Sequence, residues 1–308
     1  MTTRICLFLF IFHCPNRVAV QLYGVAIASV PAIYFTVEVS MNLQGKTALI
    51  TGASRGIGRA IALELAQQQC RCLILVARNR DRLTEVAAII EALGTQAVVL
   101  PLDLTQSIAV NVAIAHAWRH QGPIDLLINC AGVSHQVPFL QSHLPQIETE
   151  ISTNLVGLYA VTRLVARRMA AYRRGHIVNV SSLMGKVAAP TMATYSATKF
   201  AILGFSQALR GELAPYNVKV TSLLPTLTDT DMVRHFDWFR WVQPVTAEQV
   251  AKALVKGLKQ DSVEILVGWQ SYIAVLGNRL APRLVEKSVR WAAPQAQRQR
   301  LVNFGKSF

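Results

Sequence analysis

Short apolar runs alternate with longer amphipathic stretches along the chain from Lys46 onward. The runs are almost continuously hydrophobic, as expected of strands that are buried on both faces of a sheet. The stretches between them have the periodicity of helices with one apolar face. This alternation predicts an α/β fold, with right-handed crossovers and one doubly wound parallel sheet in a single domain. The predicted strands are 47–51, 72–77, 97–102, 125–129, 176–180, 218–223 and 263–267, and the predicted helices are 57–69, 81–93, 106–121, 144–173, 194–213 and 246–259.

The two ends of the chain depart from this pattern and set the expected domain limits. We expect residues 41–268 to form the α/β domain and residues 269–308 to form a basic, amphipathic, helical tail. Residues 1–40 are an apolar extension, and 18–37 is about as long as the roughly 20 residues that a membrane span needs. Because Met41 stands directly before the first predicted strand region, two interpretations stay open. The extension is either a membrane anchor or a segment upstream of the true start.

The tail also has two interpretations. A basic helix with interleaved aromatic residues is typical of a segment that lies on an acidic membrane surface. The alternative is a helix that packs in a dimer or covers a pocket. The basic residues of the tail are Arg279, Arg283, Lys287 and Arg290, and the aromatic ones are Trp269, Tyr272 and Trp291.

Composition and net charge limit the classes of partner that we expect for the chain. Hydrophobic residues make up 52% of the chain, which favours a large core and argues against disorder. The net charge of +14 favours acidic partners such as a nucleotide phosphate or a membrane surface. We expect no nucleic-acid partner, because no nucleic-acid motif accompanies the charge. The 5 cysteines have no zinc-like spacing, so we expect no metal site and a reducing, cytoplasmic setting, with membrane association as the alternative.

A glycine-rich turn follows the first predicted strand. The segment "TGASRGIG" places Gly52, Gly56 and Gly58 between that strand and its helix. Glycines there permit a tight turn and close approach of the backbone to a pyrophosphate, which the positive end of the helix then holds. The turn therefore predicts a dinucleotide site.

The residues at the ribose end of this site favour NADP(H). Where an NAD-binding chain carries an acidic residue after the second strand, this chain has Arg78, and Arg55 lies in the glycine turn itself. Two guanidinium groups suit a 2′-phosphate. The alternative is that Arg78 simply begins a solvated helix together with Arg80 and Arg82, next to Asp81.

A tyrosine and a lysine lie one helical turn apart after the fifth predicted strand. Tyr195 and Lys199 share a helix face, and the strand ends at Ser181 and Ser182. A nearby cation lowers a tyrosine pKa towards the range of general acid–base catalysis, so we expect Lys199 to lower the pKa of Tyr195. A serine hydroxyl can polarise a carbonyl oxygen. Taken alone, the pair also fits a packed tyrosine with a surface lysine.

Taken together, these motifs resemble those of the short-chain dehydrogenase/reductase family over about residues 44–268. "NCAG" (129–132) is similar to the family's Asn-Asn-Ala-Gly motif, with Cys130 in place of an asparagine. Asn154 matches the helix asparagine of its catalytic tetrad. Ser182 lies thirteen residues before Tyr195, the family's usual spacing, and is preferred to Ser181. After the sixth strand the Pro-Gly of the family becomes Pro225 and Thr226.

The resemblance implies a Rossmann-type fold, an NADP(H) cofactor and a mechanism. Hydride passes between the nicotinamide and a carbonyl or secondary alcohol carbon. Tyr195 exchanges the proton at oxygen, Ser182 hydrogen-bonds that oxygen, Lys199 binds the nicotinamide ribose, and Asn154 supports the proton path. The implied cofactor contacts are Gly52, Ser54, Arg55, Gly56, Ile57, Gly58, Arg78, Asp103, Asn129, Ala131, Gly132, Tyr195, Lys199, Pro225 and Thr230.

The substrate is expected to be hydrophobic or lipid-like. Residues 233–244 predict a substrate cover that carries Phe236, Trp238, Phe239 and Trp241, which form either an apolar pocket or the core beneath a loop. His135 either faces the substrate or is solvated. Two other functions stay open, a 3-oxoacyl-carrier-protein reductase and a non-catalytic NADP(H) sensor. The expected partners are a small carbonyl or alcohol and a second copy of the chain in a homo-oligomer.

Overall fold

Seven parallel strands form the central sheet of the computed structural model, in the order β3-β2-β1-β4-β5-β6-β7. The strand order changes direction between β1 and β4. This topological switch point creates a crevice at the carboxyl ends of these strands. The doubly wound fold predicted from the sequence is confirmed, and its strand limits differ from the predicted ones by at most one residue at each end. The strands are β1 Thr47–Thr51, β2 Cys72–Ala77, β3 Gln96–Pro101, β4 Leu126–Asn129, β5 Gly175–Val180, β6 Val218–Leu224 and β7 Glu264–Leu266.

Helices cover both faces of the sheet and bury two apolar layers. One layer lies under α1, α2 and α7, and the other under α3 and α5. The strand side chains of β1 are fully buried, as the continuous apolar run predicts. The helices are α1 Gly56–Gln67, α2 Arg80–Ala92, α3 Ser107–Gln121, α4 Leu144–Ile151, α5 Leu158–Ala171, α6 Ala193–Leu213, α7 Ala247–Lys259, α8 Trp269–Leu280 and α9 Pro282–Ala292.

The helical stretch predicted at 144–173 is not one uniform helix. A π-helical turn, Ser152–Gly157, separates α4 from α5. Such wide turns occur within α-helices and are frequent at functional sites. The prediction was wrong here because the apolar spacing alone does not distinguish an α-helical turn from a π-helical one.

The described part of the predicted tail, residues 269–294, contains two helices, α8 and α9. They lie next to the segment between β6 and α7, where Arg240 donates a backbone hydrogen bond to the carbonyl of Ala292 (2.9 Å). The carboxamide of Asn278 donates to the carbonyl of Lys186 (3.0 Å). These bonds fasten the two helices to the carboxyl-end face of the sheet.

The structure describes residues 41–294 and, before them, only the backbone of three short antiparallel strands, Phe8–Cys14, Arg17–Tyr23 and Phe35–Thr36. The rest of the N-terminal extension and residues 295–308 lie outside the described residues, so both interpretations of 1–40 stay predictions. Within the described part, no helix combines the length and apolarity that crossing a bilayer requires.

A buried histidine on β5 makes stability depend on pH. His176 is 3% exposed and its Nε2 lies 2.8 Å from Thr221 Oγ1. Burial lowers the pKa of His176 from 6.5 to about 4. Because the unfolded chain binds the proton more readily, stability is complete above pH 6.5 and falls as the pH drops towards 4, by on the order of 3 kcal/mol.

Urea unfolding at pH 7 and pH 4.5 tests this expectation with His176→Gln and, as control, His120→Gln at an exposed position. We expect the stability of His176→Gln to fall less between the two pH values than that of the native chain. An equal fall in both would contradict the assignment.

Candidate active site

The glycine turn between β1 and α1 is packed against the loop after β4. Gly52 has φ +73°, and a Cβ on it would lie 2.8 Å from the Cα of Ala131. A Cβ on Gly58 would collide with the carbonyl of Gly52. No side chain caps the first turn of α1, so its N–H groups are free for an anion. The turn therefore has the close backbone packing and the free donors that a dinucleotide pyrophosphate requires.

A crevice of about 380 Å³ opens above this turn. Its walls come from the carboxyl ends of β1, β2, β4 and β5, where ligands bind in open α/β sheets. Most of the sequence-predicted cofactor residues line it, namely Gly52, Ser54, Arg55, Gly56, Ile57, Gly58, Arg78, Asp103, Ala131, Gly132, Tyr195, Lys199 and Thr230.

Two predicted cofactor contacts lie elsewhere. The Asn129 side chain is 2% exposed and donates to Thr162 Oγ1 and Asn179 Oδ1, both at 2.8 Å, inside the sheet. Pro225 borders a second cavity, and its carbonyl accepts a hydrogen bond from the N–H of Leu183 (2.8 Å). Neither residue lines the crevice, and their assignment as cofactor contacts stays a prediction.

Arginines line the far end of the crevice. Arg55 lies 3.7 Å and Arg82 3.4 Å from the carboxylate of Asp231, which Arg234 also approaches at 2.9 Å. Arg78 also borders the crevice and has no acidic partner within residues 41–294. Its free guanidinium can take an anionic group of a ligand.

Tyr195 lines both the crevice and the second cavity, and Lys199 lines the crevice. Lys199 is 5% exposed, its Nζ donates to the carbonyl of Val180 (3.0 Å), and it lies 5.4 Å from the centre of the Tyr195 ring. Burial raises the pKa of Tyr195 to about 12 and lowers the pKa of Lys199 to about 8. The expected net lowering of the tyrosine pKa is therefore wrong for the chain by itself, because burial penalises the charged forms of both groups.

The two serines that end β5 have different surroundings. Ser181 is buried, and its hydroxyl donates to the carbonyl of Lys199 (2.8 Å), which fixes α6 against the strand. The Ser182 hydroxyl accepts the N–H of Met184 (3.1 Å) and forms a hydrogen bond with Tyr195 that works against the rise in the tyrosine pKa. Of the two serines, Ser182 is the one hydrogen-bonded to the tyrosine side chain.

Asn154 is in the π-helical turn and is completely buried. Its Oδ1 accepts from the N–H of Val133 (2.8 Å), and its Nδ2 donates to the carbonyl of Val133 (3.0 Å) and to Thr198 Oγ1 (3.1 Å). The side chain thus joins the loop after β4 to the helix that carries Tyr195 and Lys199.

A second cavity, of about 280 Å³, lies on the other side of Tyr195. Ser182 and Tyr195 lie at its polar end, and most of its remaining lining is aliphatic or aromatic. Phe236 and Phe239 of the predicted cover line this cavity, whereas Trp238 and Trp241 are exposed. The predicted apolar pocket is therefore formed by only two of the four aromatic residues.

Three polar residues near the site were not found from the sequence. Glu150 is 2% exposed, and one of its oxygens accepts the N–H of His135 and lies 3.1 Å from His135 Nδ1. His135 lines neither the crevice nor the second cavity. Its contact with Glu150 also means that it is not a fully solvated loop residue. The hydroxyl of Ser134 is buried in the lining of the second cavity, and Asp231 meets the arginines of the crevice. The one available signal was the spacing of Glu150, four residues before Asn154 and therefore on the same side of the predicted helix.

A model of the family described as short chain dehydrogenase matches residues 46–239. The chain belongs to the short chain dehydrogenase family. Membership confirms the resemblance found in the motifs and makes the chain an oxidoreductase of this class.

Several short chain dehydrogenases are similar to this one along most of its length. A ketoacyl reductase of Nostoc sp. is 30% identical over 259 residues, 81% of this chain and 90% of that protein. The 3-ketodihydrosphingosine reductase of Mus musculus is 36% identical over 247 residues, 76% of this chain and 74% of that protein. A solved short chain dehydrogenase of Burkholderia cenocepacia, in complex with NADP, has a TM-score of 0.71 at 28% identity and covers 82% of this chain and 100% of that one.

Separate alanine variants of the two serines test their different roles. We expect Ser182→Ala to lower kcat by roughly 10²–10³-fold with little change in Tm, because it removes a donor from the reacting oxygen. Ser181→Ala should lower the free energy of unfolding by roughly 1 kcal/mol, because it breaks the bond to α6. Loss of turnover in Ser181→Ala with normal turnover in Ser182→Ala would reverse the assignment.

Proposed function

We propose that the protein is an NADP(H)-dependent carbonyl reductase or alcohol dehydrogenase acting on a hydrophobic substrate. One observation carries this proposal. Tyr195, with Ser182 and Lys199 beside it, lies where the crevice of the glycine turn meets an apolar cavity. A cofactor in the crevice and a substrate in the cavity would meet at the tyrosine hydroxyl.

The crevice fits NADP(H) better than NAD(H). Arg78 and Arg55 border it near the end of β2, where the adenosine ribose of a dinucleotide lies in this fold. Arg78 has no acidic partner in the described chain, and the solved relative from Burkholderia cenocepacia is an NADP complex. When bound, the cofactor supplies or accepts the hydride.

The protein's own residues manage the proton. A tyrosine whose pKa is raised to about 12 is a neutral phenol at pH 7 and is ready to donate to a carbonyl oxygen as charge develops on it. Ser182 hydrogen-bonds the same oxygen, and Lys199 is held by the carbonyl of Val180 beneath the ring.

The apolar cavity supports a hydrophobic or lipid-like substrate. Two relatives are named for reduction of a keto group on an acyl or long-chain compound, the Nostoc and mouse proteins. A 3-oxoacyl thioester is therefore the second candidate substrate class, and the acyl chain would occupy the same cavity. The third function left open by the sequence, a sensor that binds NADP(H) without turnover, has no such support, since the chain belongs to an oxidoreductase family.

A screen of NADPH consumption separates these candidates. It compares aliphatic and aromatic ketones, 3-oxoacyl thioesters and steroid-like ketones at equal concentration. We expect turnover with hydrophobic carbonyls and higher kcat/KM as apolar size increases. NADPH binding without consumption in the whole panel would favour the sensor.

Tyr195→Phe separates chemistry from binding. Removing the hydroxyl leaves the ring that packs over Lys199, so we expect turnover to fall below detection while NADPH fluorescence titration gives an unchanged Kd. Retained turnover in this variant would exclude Tyr195 as the proton donor.

Arg78→Ala tests the cofactor preference. Loss of a charge-assisted hydrogen bond to the 2′-phosphate should weaken NADPH binding by roughly tenfold or more and leave NADH binding unchanged. Arg80→Ala, at the neighbouring exposed position, is the matched control. Equal weakening of both cofactors by Arg78→Ala would exclude a 2′-phosphate contact.

A further inference from the structure

The outward face of α8 is apolar. Trp269, Tyr272, Ile273, Leu276 and Leu280 are each more than half exposed. Their spacing of i, i+3, i+4, i+7 and i+11 places all five on one side of the helix. No described residue packs over this stripe, and a contiguous exposed patch of large apolar side chains marks an interaction site.

The second tail helix, α9, also carries exposed apolar side chains, together with most of the positive charge of the two helices. Leu284 and Trp291 are exposed on α9, and Trp291 stacks on Trp241 with ring centres 4.5 Å apart. Residues 269–294 contain a single acidic residue, Glu286. The basic residues of this segment are Arg279, Arg283, Lys287 and Arg290. Apolar residues with interfacial aromatics and a basic border complement the surface of a bilayer that contains anionic lipid.

The inward side of the same two helices closes the substrate cavity. Ala274 of α8 and Val289 and Ala292 of α9 are part of the cavity lining. One helix diameter, about 10 Å, therefore separates the exposed stripe from the space next to Tyr195. A lipid-like substrate in the outer part of a bilayer would enter the cavity along a short path.

We propose that the face formed by α8 and α9 docks on a bilayer surface containing anionic lipid and draws its substrate from that bilayer. The docking itself needs only the exposed stripe and its basic border. The delivery of substrate rests on the proposed function, because it requires that the cavity holds a hydrophobic carbonyl compound.

Vesicle sedimentation of the full chain tests the docking. One set of vesicles contains phosphatidylcholine alone. The other contains phosphatidylcholine with about 30% phosphatidylserine, which supplies anionic lipid on the order of the physiological content. We expect binding to the anionic vesicles that weakens with salt, and weaker binding to phosphatidylcholine. The triple variant Ile273→Ser/Leu276→Ser/Leu280→Ser should reduce the partition coefficient by roughly tenfold or more. Arg283→Gln/Lys287→Gln should abolish the preference for anionic vesicles.

The triple variant Ile89→Ser/Ile108→Ser/Val112→Ser is the matched control, since it removes three exposed apolar side chains from α2 and α3. We expect it to bind vesicles like the native chain. Unchanged vesicle binding in the α8 variant would overturn the proposal. The proposal would also be overturned if the native chain bound neither kind of vesicle. This holds whether or not light scattering shows that the α8 variant dissociates an oligomer.

Reduction of a water-soluble ketone, measured without vesicles, keeps the two proposals apart. We expect the α8 variant to keep native turnover there, because none of its three positions lines either cavity. Vesicle binding by a chain that reduces no carbonyl would leave the docking intact and contradict the proposed function.

Discussion

Burial of the Lys199 amine is the constraint on which the rest of the site depends. An ammonium group at 5% exposure is costly unless it is hydrogen-bonded, and the carbonyl of Val180 at the end of β5 supplies a bond of 3.0 Å. The backbone of the same lysine accepts the Ser181 hydroxyl. These two hydrogen bonds join strand β5 to helix α6 next to Tyr195. Desolvation also raises the pKa of Tyr195, so the cofactor-free tyrosine holds its proton at neutral pH.

Much of this arrangement follows from the sequence. Seven apolar runs predicted the seven strands, because strands covered on both faces of a sheet are mostly hydrophobic, with hydrogen-bonded exceptions such as Asn129 and His176. The glycine turn and the Tyr195–Lys199 spacing are local, and local patterns are what a sequence displays directly. The choice of Ser182 over Ser181 rested on spacing, and the different hydrogen bonds of the two hydroxyls give it a physical reason.

The features that could not be predicted from the sequence depend on contacts between residues that are far apart along the chain. Asp231 meets Arg82 from 149 positions away, and Glu150 meets His135 across a loop. Neither pairing produces a periodic pattern in the amino-acid sequence. The direction of the tyrosine pKa was also missed, since burial of the pair decides it and helix spacing does not. The tail illustrates the same limit: its amphipathic pattern was visible, but only the fold shows that one side closes a cavity and the other is exposed.

Transfer of a deuteride from NADPH that carries deuterium at both C4 positions of the nicotinamide tests the central claim most directly. With a hydrophobic ketone as acceptor, the account predicts an alcohol product that is heavier by one deuterium, located on the carbinol carbon. Unlabelled alcohol, or NADPH binding without any alcohol for every carbonyl tried, would contradict it.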